Sequence, residues 1–360
     1  MTHRISIGPY HPALEEPYKL ELTCDGEVVR EAELRIGFNF RAVERLAERR
    51  NFTAAIALME RVCGICSNVH TLSFCQGLER LAELEVPPRA RHIRVVIAEL
   101  ERLHSHVLWA GIAGKLIGFK TMFMACFEIR EKVMDVLEAI SGNRVNYAMN
   151  RVGGVNRDID DPAPIQKAVA DLEREVAREI VPVFTRSRTT RARCQGVGVL
   201  PLEEARALAV VGPTARASGV GQDIRRAAPY AAYEELEFTV PVETAGDVLA
   251  RLRVRALEIL ESCRIVRQAL ETLPPGDWRG PTDEVEFPEG TALSRVEGPR
   301  GEVFYSVTAD GENDTPRRVH VRTPTYANMP AVKVMLRGAQ LADAPLIQAS
   351  VDPCYSCTDR

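Results

Sequence analysis

Two Cys-x-x-Cys pairs stand almost a whole chain apart: Cys63 and Cys66 in "ERVCGICSNVH", and Cys354 and Cys357 in "DPCYSCTDR". Thiolates are soft ligands that hold zinc, nickel, copper(I) or iron–sulfur groups in preference to magnesium or calcium. Four of them point to one metal site before two unrelated dithiols. If one site is served, the fold must bring residues 354–357 back to residues 63–66. A zinc ribbon spaces its pairs by about 15–20 residues and does not describe this separation. A thioredoxin-like dithiol needs one pair in a βαβ context, which the flanking patterns lack. Structural zinc stays open on local chemistry. The proline after Asp352 predicts extended backbone at that aspartate, delivering the second pair on a defined turn.

The remaining composition narrows the setting. A chain of 360 residues, 46% of them hydrophobic, buries a sizeable core. With 46 basic against 50 acidic residues the net charge is −4, so no basic excess points to nucleic acid. The start "MTHRISIGPYHPALEEP" has no apolar signal-peptide core, and "VLWAGIAGKLIGF", interrupted by Lys115, is too short to span a bilayer. A cytoplasmic location follows as the expectation, with attachment to a membrane only through partners. In that reducing compartment the nine cysteines are not a disulfide framework. Cys24, Cys75, Cys126, Cys194 and Cys263, alone among apolar neighbours, read as small buried hydrophobes.

Periodicity gives an α+β, mainly α chain. "YKLELTCDGEVVREAELRI" alternates around Asp25-Gly26 and predicts a β-hairpin. From Phe40 the period becomes helical and leads into the first cysteine pair, then continues over 71–84 until Pro87-Pro88. Apolar recurrence predicts helices at about 89–113, 120–141 and 162–182, one starting at Pro201, and one over about 244–273. The Gly-rich part of 191–242 reads as loop with short helical turns. Residues 291–323 alternate again, as a small antiparallel sheet. The division is then a single domain over 1–360: a hairpin region 1–40, a helical core 41–273, and a sheet with a metal-binding tail over 274–360.

Longer stretches carry a resemblance. "RVCGICSNVH" with "DPCYSCTDR", "GPYHPALEEP", "IGFNFRAVERL", "ELERLHSHVLWAG", "RVGGVNRDI", "GPTARASGVGQDIRRAAPY", "RVEGPRGEVFY" and "RTPTYANMPAVKVMLRGAQLADAPLI" resemble the large, catalytic subunit of nickel–iron hydrogenases. The nearest subgroup is the energy-converting, membrane-associated one related to respiratory complex I, which includes the carbon monoxide dehydrogenase-linked and Ech-type enzymes. Several of these stretches are shared with the complex I quinone-site subunit, which lacks the four cysteines. The resemblance implies that fold, and reversible interconversion of dihydrogen with two protons and two electrons. It implies proton reduction with ferredoxin electrons, delivered through a small subunit carrying a four-iron four-sulfur cluster. Ferredoxin-like subunits and integral-membrane ion-translocating subunits are the further partners implied.

Residue by residue, the resemblance makes Cys63 and Cys354 terminal nickel ligands. Cys66 and Cys357 would bridge nickel to an iron that carries carbon monoxide and cyanide. Cys354 is the implied first base and Glu16 the carboxylate that receives its proton; a solvated carboxylate is the reading that suits Glu15. Arg300 is implied above the open metal position, with Pro299 shaping the pocket around the diatomic ligands. Asp352 would hold Arg300 by a charge-assisted pair, and its alternative is a plain turn residue before proline. His70 is implied to donate to a bridging sulfur, against the alternative of a satisfied core histidine. His104 and His106 point apart on a helix and form no chelate. Glu44 matches a magnesium-binding carboxylate, although Phe40 and Arg360 stand where other subgroups place histidines. A helical i,i+4 ion pair is its alternative. The competing function is a non-catalytic subunit, zinc-stapled or quinone-site-like, of a complex I-related assembly.

Overall fold

The computed structural model describes residues 2–12, 14, 16–280 and 285–360. Strands β1 (Thr2–Ile7), β2 (Lys19–Asp25) and β3 (Val28–Arg35) form an antiparallel sheet in that order. The β2–β3 pair is the expected hairpin, turned at Gly26 with φ +59°, a conformation glycine enters without a Cβ clash. β1 was not legible in the sequence, because only Ile5 and Ile7 supply apolar alternation within it. The helical run expected from Phe40 divides into α1 (Val43–Ala47) and α2 (Phe52–Glu60). Asn51 restarts it by accepting the Ala54 N–H at 2.8 Å.

Then come α3 (Ser67–Leu81), α4 (Pro88–Ile117) and α5 (Lys120–Ser141). Proline opens α4 at a position whose N–H has no helical acceptor, and Gly118, at φ +111°, closes it. α4 is buried on nearly every side, packed between α5 and a later helix, α12 (Val248–Glu271). Between them lie a short ribbon, β4 (Asn150–Arg151) with β5 (Gly154–Val155), and the helix α6 (Ala163–Glu179). Five short helices follow: α7 (Val181–Thr185), α8 (Arg188–Cys194), α9 (Leu202–Ala207), α10 (Gly212–Arg216) and α11 (Ile224–Ala227). The Gly-rich loop thus contains the short helical turns expected of it, and α9 begins directly after Pro201.

After α12 the chain runs back over the ribbon, where the Val155 N–H donates to Trp278 and the Gly280 N–H to Gly153. It enters the second sheet, β6 (Gly290–Gly298), β7 (Gly301–Ala309) and β8 (Arg318–Arg322), antiparallel in that order. The chain continues through α13 (Pro324–Leu336), α14 (Ala344–Ser350) and α15 (Tyr355–Asp359). The segment before α14 bonds to the first hairpin: Val29 and Gly338–Ala339 exchange backbone hydrogen bonds, and the Leu341 N–H donates to Glu27. One apolar core includes Tyr18, Val69, Leu252, Val303 and Cys357. Among the described residues, no helix is long and apolar enough to cross a membrane.

Candidate metal centre

The turn entering α3 carries Cys63 and Cys66, and the turn entering α15 carries Cys354 and Cys357. Their sulfurs meet. Cys63 lies 3.5 Å from Cys354, Cys66 lies 3.3 Å from Cys357, and Cys354 lies 3.2 Å from Cys357. All four are buried and free, and the spacings exceed the roughly 2.05 Å of a disulfide. The Ile65 and Cys66 N–H groups each donate to Cys63 Sγ at 3.2 Å. Bonding from the Cys354, Cys357 and Cys66 thiols, aided by the Arg300 charge and against burial, holds the Cys63 thiol well below its usual pKa. Cys66 and Cys357, chiefly through their bonds to Cys354, are pushed well above theirs. The cluster therefore gives up one proton readily and the others only to a cation, as a metal-ligating thiolate set does.

His70, one turn into α3, sets Nε2 3.5 Å from Cys357 Sγ, while Nδ1 lies 2.8 Å from the Tyr305 hydroxyl. Burial lowers the His70 pKa to about 4, so the ring is neutral at pH 7. A donating Tyr305 hydroxyl leaves Nε2–H to face the sulfur. The β6–β7 turn supplies Pro299 and Arg300. Arg300 Nε donates to the Asp352 carbonyl at 2.9 Å, and its Nη2 pairs with the Asp352 carboxylate at 3.0 Å. Both side chains are buried, and Ser105 of α4 is 3.4 Å from the third guanidinium nitrogen. Glu16 accepts the backbone N–H of Tyr355 and, at 3.1 Å, that of Ser356. Burial raises its pKa, against those two donors and the nearby Arg300 charge. Glu15 lies outside the described residues.

One sequence expectation fails here. Asp352 is not extended: its φ is +58°. The proline rule disfavours right-handed helix at the preceding residue and leaves the left-handed region to be decided by contacts. Those contacts are the Ala349 carbonyl below its N–H at 3.0 Å and Arg300, which holds both its carbonyl and its carboxylate. Such a conformation costs about 1–3 kcal/mol outside glycine and persists where surrounding bonds over-determine it.

Comparison with known proteins now adds to this geometry. A family model described as respiratory-chain NADH dehydrogenase, 49 Kd subunit, matches residues 117–284 and 277–360, and one described as nickel-dependent hydrogenase matches 41–110. The carbon monoxide-induced hydrogenase of Rhodospirillum rubrum is 39% identical, over 100% of this chain and 99% of that protein. The chain belongs to the family of nickel–iron hydrogenase large subunits and complex I 49 kDa subunits. A second member, the membrane-bound hydrogenase subunit alpha of Pyrococcus furiosus, is 39% identical over 99% of this chain and 87% of its own. A solved archaeal respiratory membrane complex, the membrane-bound sulfane sulfur reductase, contains a chain of the same fold. That chain superposes with a TM-score of 0.94 at 32% identity, covering 100% of this chain and 98% of itself.

As a member of this family the chain is an oxidoreductase-type subunit, and its structure adds residues that the motifs did not single out. Arg41 donates to the carbonyls of Arg61 at 2.7 Å, Val62 at 2.8 Å and Ser356 at 2.7 Å. It ties the backbone just before Cys63 to the backbone just before Cys357. Nothing in the sequence marks an exposed arginine before a short helix for that task. Glu101 of α4 accepts the Asn68 N–H at 2.6 Å and the Val69 N–H at 3.1 Å, satisfying free donors at the start of α3. Burial pushes its pKa up to about 8 in spite of those donors. Arg102 binds the carbonyls of Glu297 and Gly298 and so fixes the turn that presents Arg300. His104 and His106 face different partners, Arg130 at 3.1 Å and Glu258 at 2.9 Å, as the H-x-H spacing predicted.

Beside the cysteines is a cavity of about 300 Å³ lined by Glu16, Ser105, Arg300, Trp109, Phe123 and Phe127, among others. Glu44 is elsewhere, on α1, and makes no i,i+4 pair; its carboxylate binds Arg318 and Arg360 from β8 and the segment after α15.

Proposed function

We propose that this chain is the catalytic large subunit of an energy-converting nickel–iron hydrogenase, interconverting dihydrogen with two protons and two electrons. The observation that carries the reading is the convergence of four buried sulfurs with Arg300–Asp352 and Glu16 on the same turns. A structural zinc staple requires the sulfurs but neither a buried guanidinium nor a carboxylate against α15. Four buried soft donors suit a nickel–iron group, which Cys63, Cys66, Cys354 and Cys357 would hold. When bound, that group supplies the heterolytic splitting of dihydrogen, its iron carrying carbon monoxide and cyanide.

The chain's own residues then do the following. In hydrogen oxidation Cys354 Sγ takes the proton first and passes it to Glu16, and in proton reduction the same pair works in reverse; burial raises the Glu16 pKa, which favours its holding a proton. Arg300 stays protonated and offers fixed N–H donors at the cavity wall, held there by Asp352. His70 Nε2–H steadies the charge on Cys357, and Pro299 keeps the neighbouring wall apolar. The cavity beside the cysteines offers dihydrogen a route to them. In the direction of proton reduction, electrons from ferredoxin would reach the centre through ferredoxin-like subunits and a small subunit with a four-iron four-sulfur cluster. Integral-membrane ion-translocating subunits would anchor the assembly at the cytoplasmic face.

A second reading has one observation in its favour: the cavity falls in the size range of small-molecule pockets. It makes the chain a non-catalytic or quinone-site-like subunit whose cysteines hold structural zinc. Metal analysis and infrared spectroscopy of the purified assembly decide between them. Nickel with iron, carbon monoxide and cyanide bands, and hydrogen evolution from reduced ferredoxin are expected. Zinc without nickel, and no such bands, rejects the hydrogenase.

A further inference from the structure

The family resemblance leads one to expect magnesium at Glu44, and the residues around it do not fit that ion. Glu44 Oε1 accepts from Arg360 Nε at 2.8 Å and from the Val321 N–H at 2.9 Å, with His320 Nδ1 at 3.6 Å. Its other oxygen is bound by Arg318 at 3.0 Å. Both oxygens are thus taken by donors, two of them permanent cations. Magnesium needs near-octahedral oxygen ligation at about 2.0–2.1 Å and usually one or two free carboxylates. Asp359, the nearest candidate on α15, has both oxygens on the N–H groups of Gly37 and Asn39 at 3.0 and 2.9 Å. Phe40 is 71% exposed and has no donor atom. Among the described residues, the group that clusters His, Cys, Asp or Glu atoms closely enough for a metal is Cys63, Cys66 and Cys357.

We infer that the guanidinium of Arg360 is the resident cation of this site, and that this protein needs no magnesium there. The fork reaches Glu44 with Nε and the Thr358 carbonyl with Nη1 at 2.9 Å, so one side chain ties α1 to the end of α15. Asp359 adds the opposite link, from α15 to the loop after β3. Together they seat the segment bearing Cys354 and Cys357 without a dissociable ion. A fixed, always-protonated cation also makes the seating insensitive to chelators.

The inference uses the hydrogenase reading only for the centre that this seating serves, and its test reads the two apart. The purified assembly is dialysed against EDTA, assayed for magnesium and nickel separately, and followed by hydrogen exchange of the Thr358 amide, which bonds to the Cys354 carbonyl. Expected are no stoichiometric magnesium and unchanged exchange with EDTA or added magnesium chloride. R360A should accelerate exchange at Thr358 by up to about tenfold. E44Q, which keeps the shape and removes the charge, should do the same, and R360K should fall between. Stoichiometric magnesium whose removal speeds exchange in the wild-type protein overturns the inference, as does unchanged exchange in both R360A and E44Q. Absence of nickel with the exchange results as expected would instead overturn the hydrogenase reading alone.

Discussion

At the residue scale, Glu16 and Asp352, two carboxylates bound beside the second cysteine pair, differ in what their removal should reveal. Glu16→Gln keeps an acceptor for the Tyr355 and Ser356 N–H groups but cannot carry a proton. Hydrogen turnover should be abolished while nickel content stays at the wild-type level; nickel lost with activity would make Glu16 a structural residue. The raised pKa fixes a direction for pH as well. Glu16 must be ionised to receive a proton, so hydrogen oxidation should decline as pH falls through that raised pKa, at a higher pH than an ordinary carboxylate would give. A pH–rate profile of hydrogen uptake checks it. Asp352 presents a different balance, since removing it leaves a guanidinium that is 4% exposed without its counter-charge. Asp352→Ala should cost about 3–5 kcal/mol of stability. Asp352→Asn should cost less, because asparagine tolerates the left-handed backbone and retains an oxygen for Arg300. Denaturant unfolding of the two variants orders them; equal losses would remove the ion pair from the explanation.

At the scale of elements, the site is made by turns, each held from the helix behind it. The β6–β7 turn carrying Arg300 rests on α10 so closely that a Cβ on Gly212 would lie 2.3 Å from the Arg300 carbonyl oxygen. Gly212 also has φ +68°. Gly212→Ala should therefore displace the turn as well as strain the helix start, lowering stability by more than the ~1 kcal/mol typical of point substitutions and reducing turnover with it. A variant with normal stability and activity would show that the turn is compliant. Behind α3, Glu101→Gln would confront the Asn68 or Val69 N–H with a second donor. A loss of about 1–3 kcal/mol is expected, read as a lower melting temperature together with faster exchange at those two amides. Long helices and the second sheet were legible because their apolar spacing is regular, and so was the pairing of Asp352 with Arg300, once the resemblance supplied the partners. The split between α1 and α2, the strand β1 and the left-handed Asp352 were not. β1 and the Asp352 conformation depend on a strand or side chain distant in sequence, while the split rests on the Asn51 cap, which the apolar spacing of the run does not register. Arg41, Glu101 and Tyr305 escaped for the same reason: their residue types are common, and only the fold brings them to the sulfurs.

For the whole molecule, the histidines buried on α3 and α4 predict a response to acid. Burial lowers the pKa of His70 and His106 to about 4 and that of His104 to about 3. Unfolded histidine titrates near 6.5, so between roughly pH 6.5 and 4 the unfolded chain binds protons that the folded one refuses. The stabilisation is complete above pH 6.5 and is lost as pH falls through that window. Each histidine contributes about 1.4 kcal/mol per pH unit there, up to about 4 for the three together. Urea midpoints measured from pH 7 to pH 5 should fall steeply, and a His106→Gln variant should fall less. A flat profile would mean that the three rings take up protons while folded.

The clamp made by Arg41 has a consequence for how the centre is filled. One guanidinium touches the peptide before the first cysteine pair and the peptide before the last ligand of the second. Neither half alone satisfies it, so it acts as a coincidence detector. The bonds close together only when both segments are in register, and a misplaced tail leaves the charged fork without its carbonyls. A polypeptide that has failed to bring its two distant segments together is thereby distinguishable from one that has, by the unsatisfied donors of a single side chain and before any electron has moved.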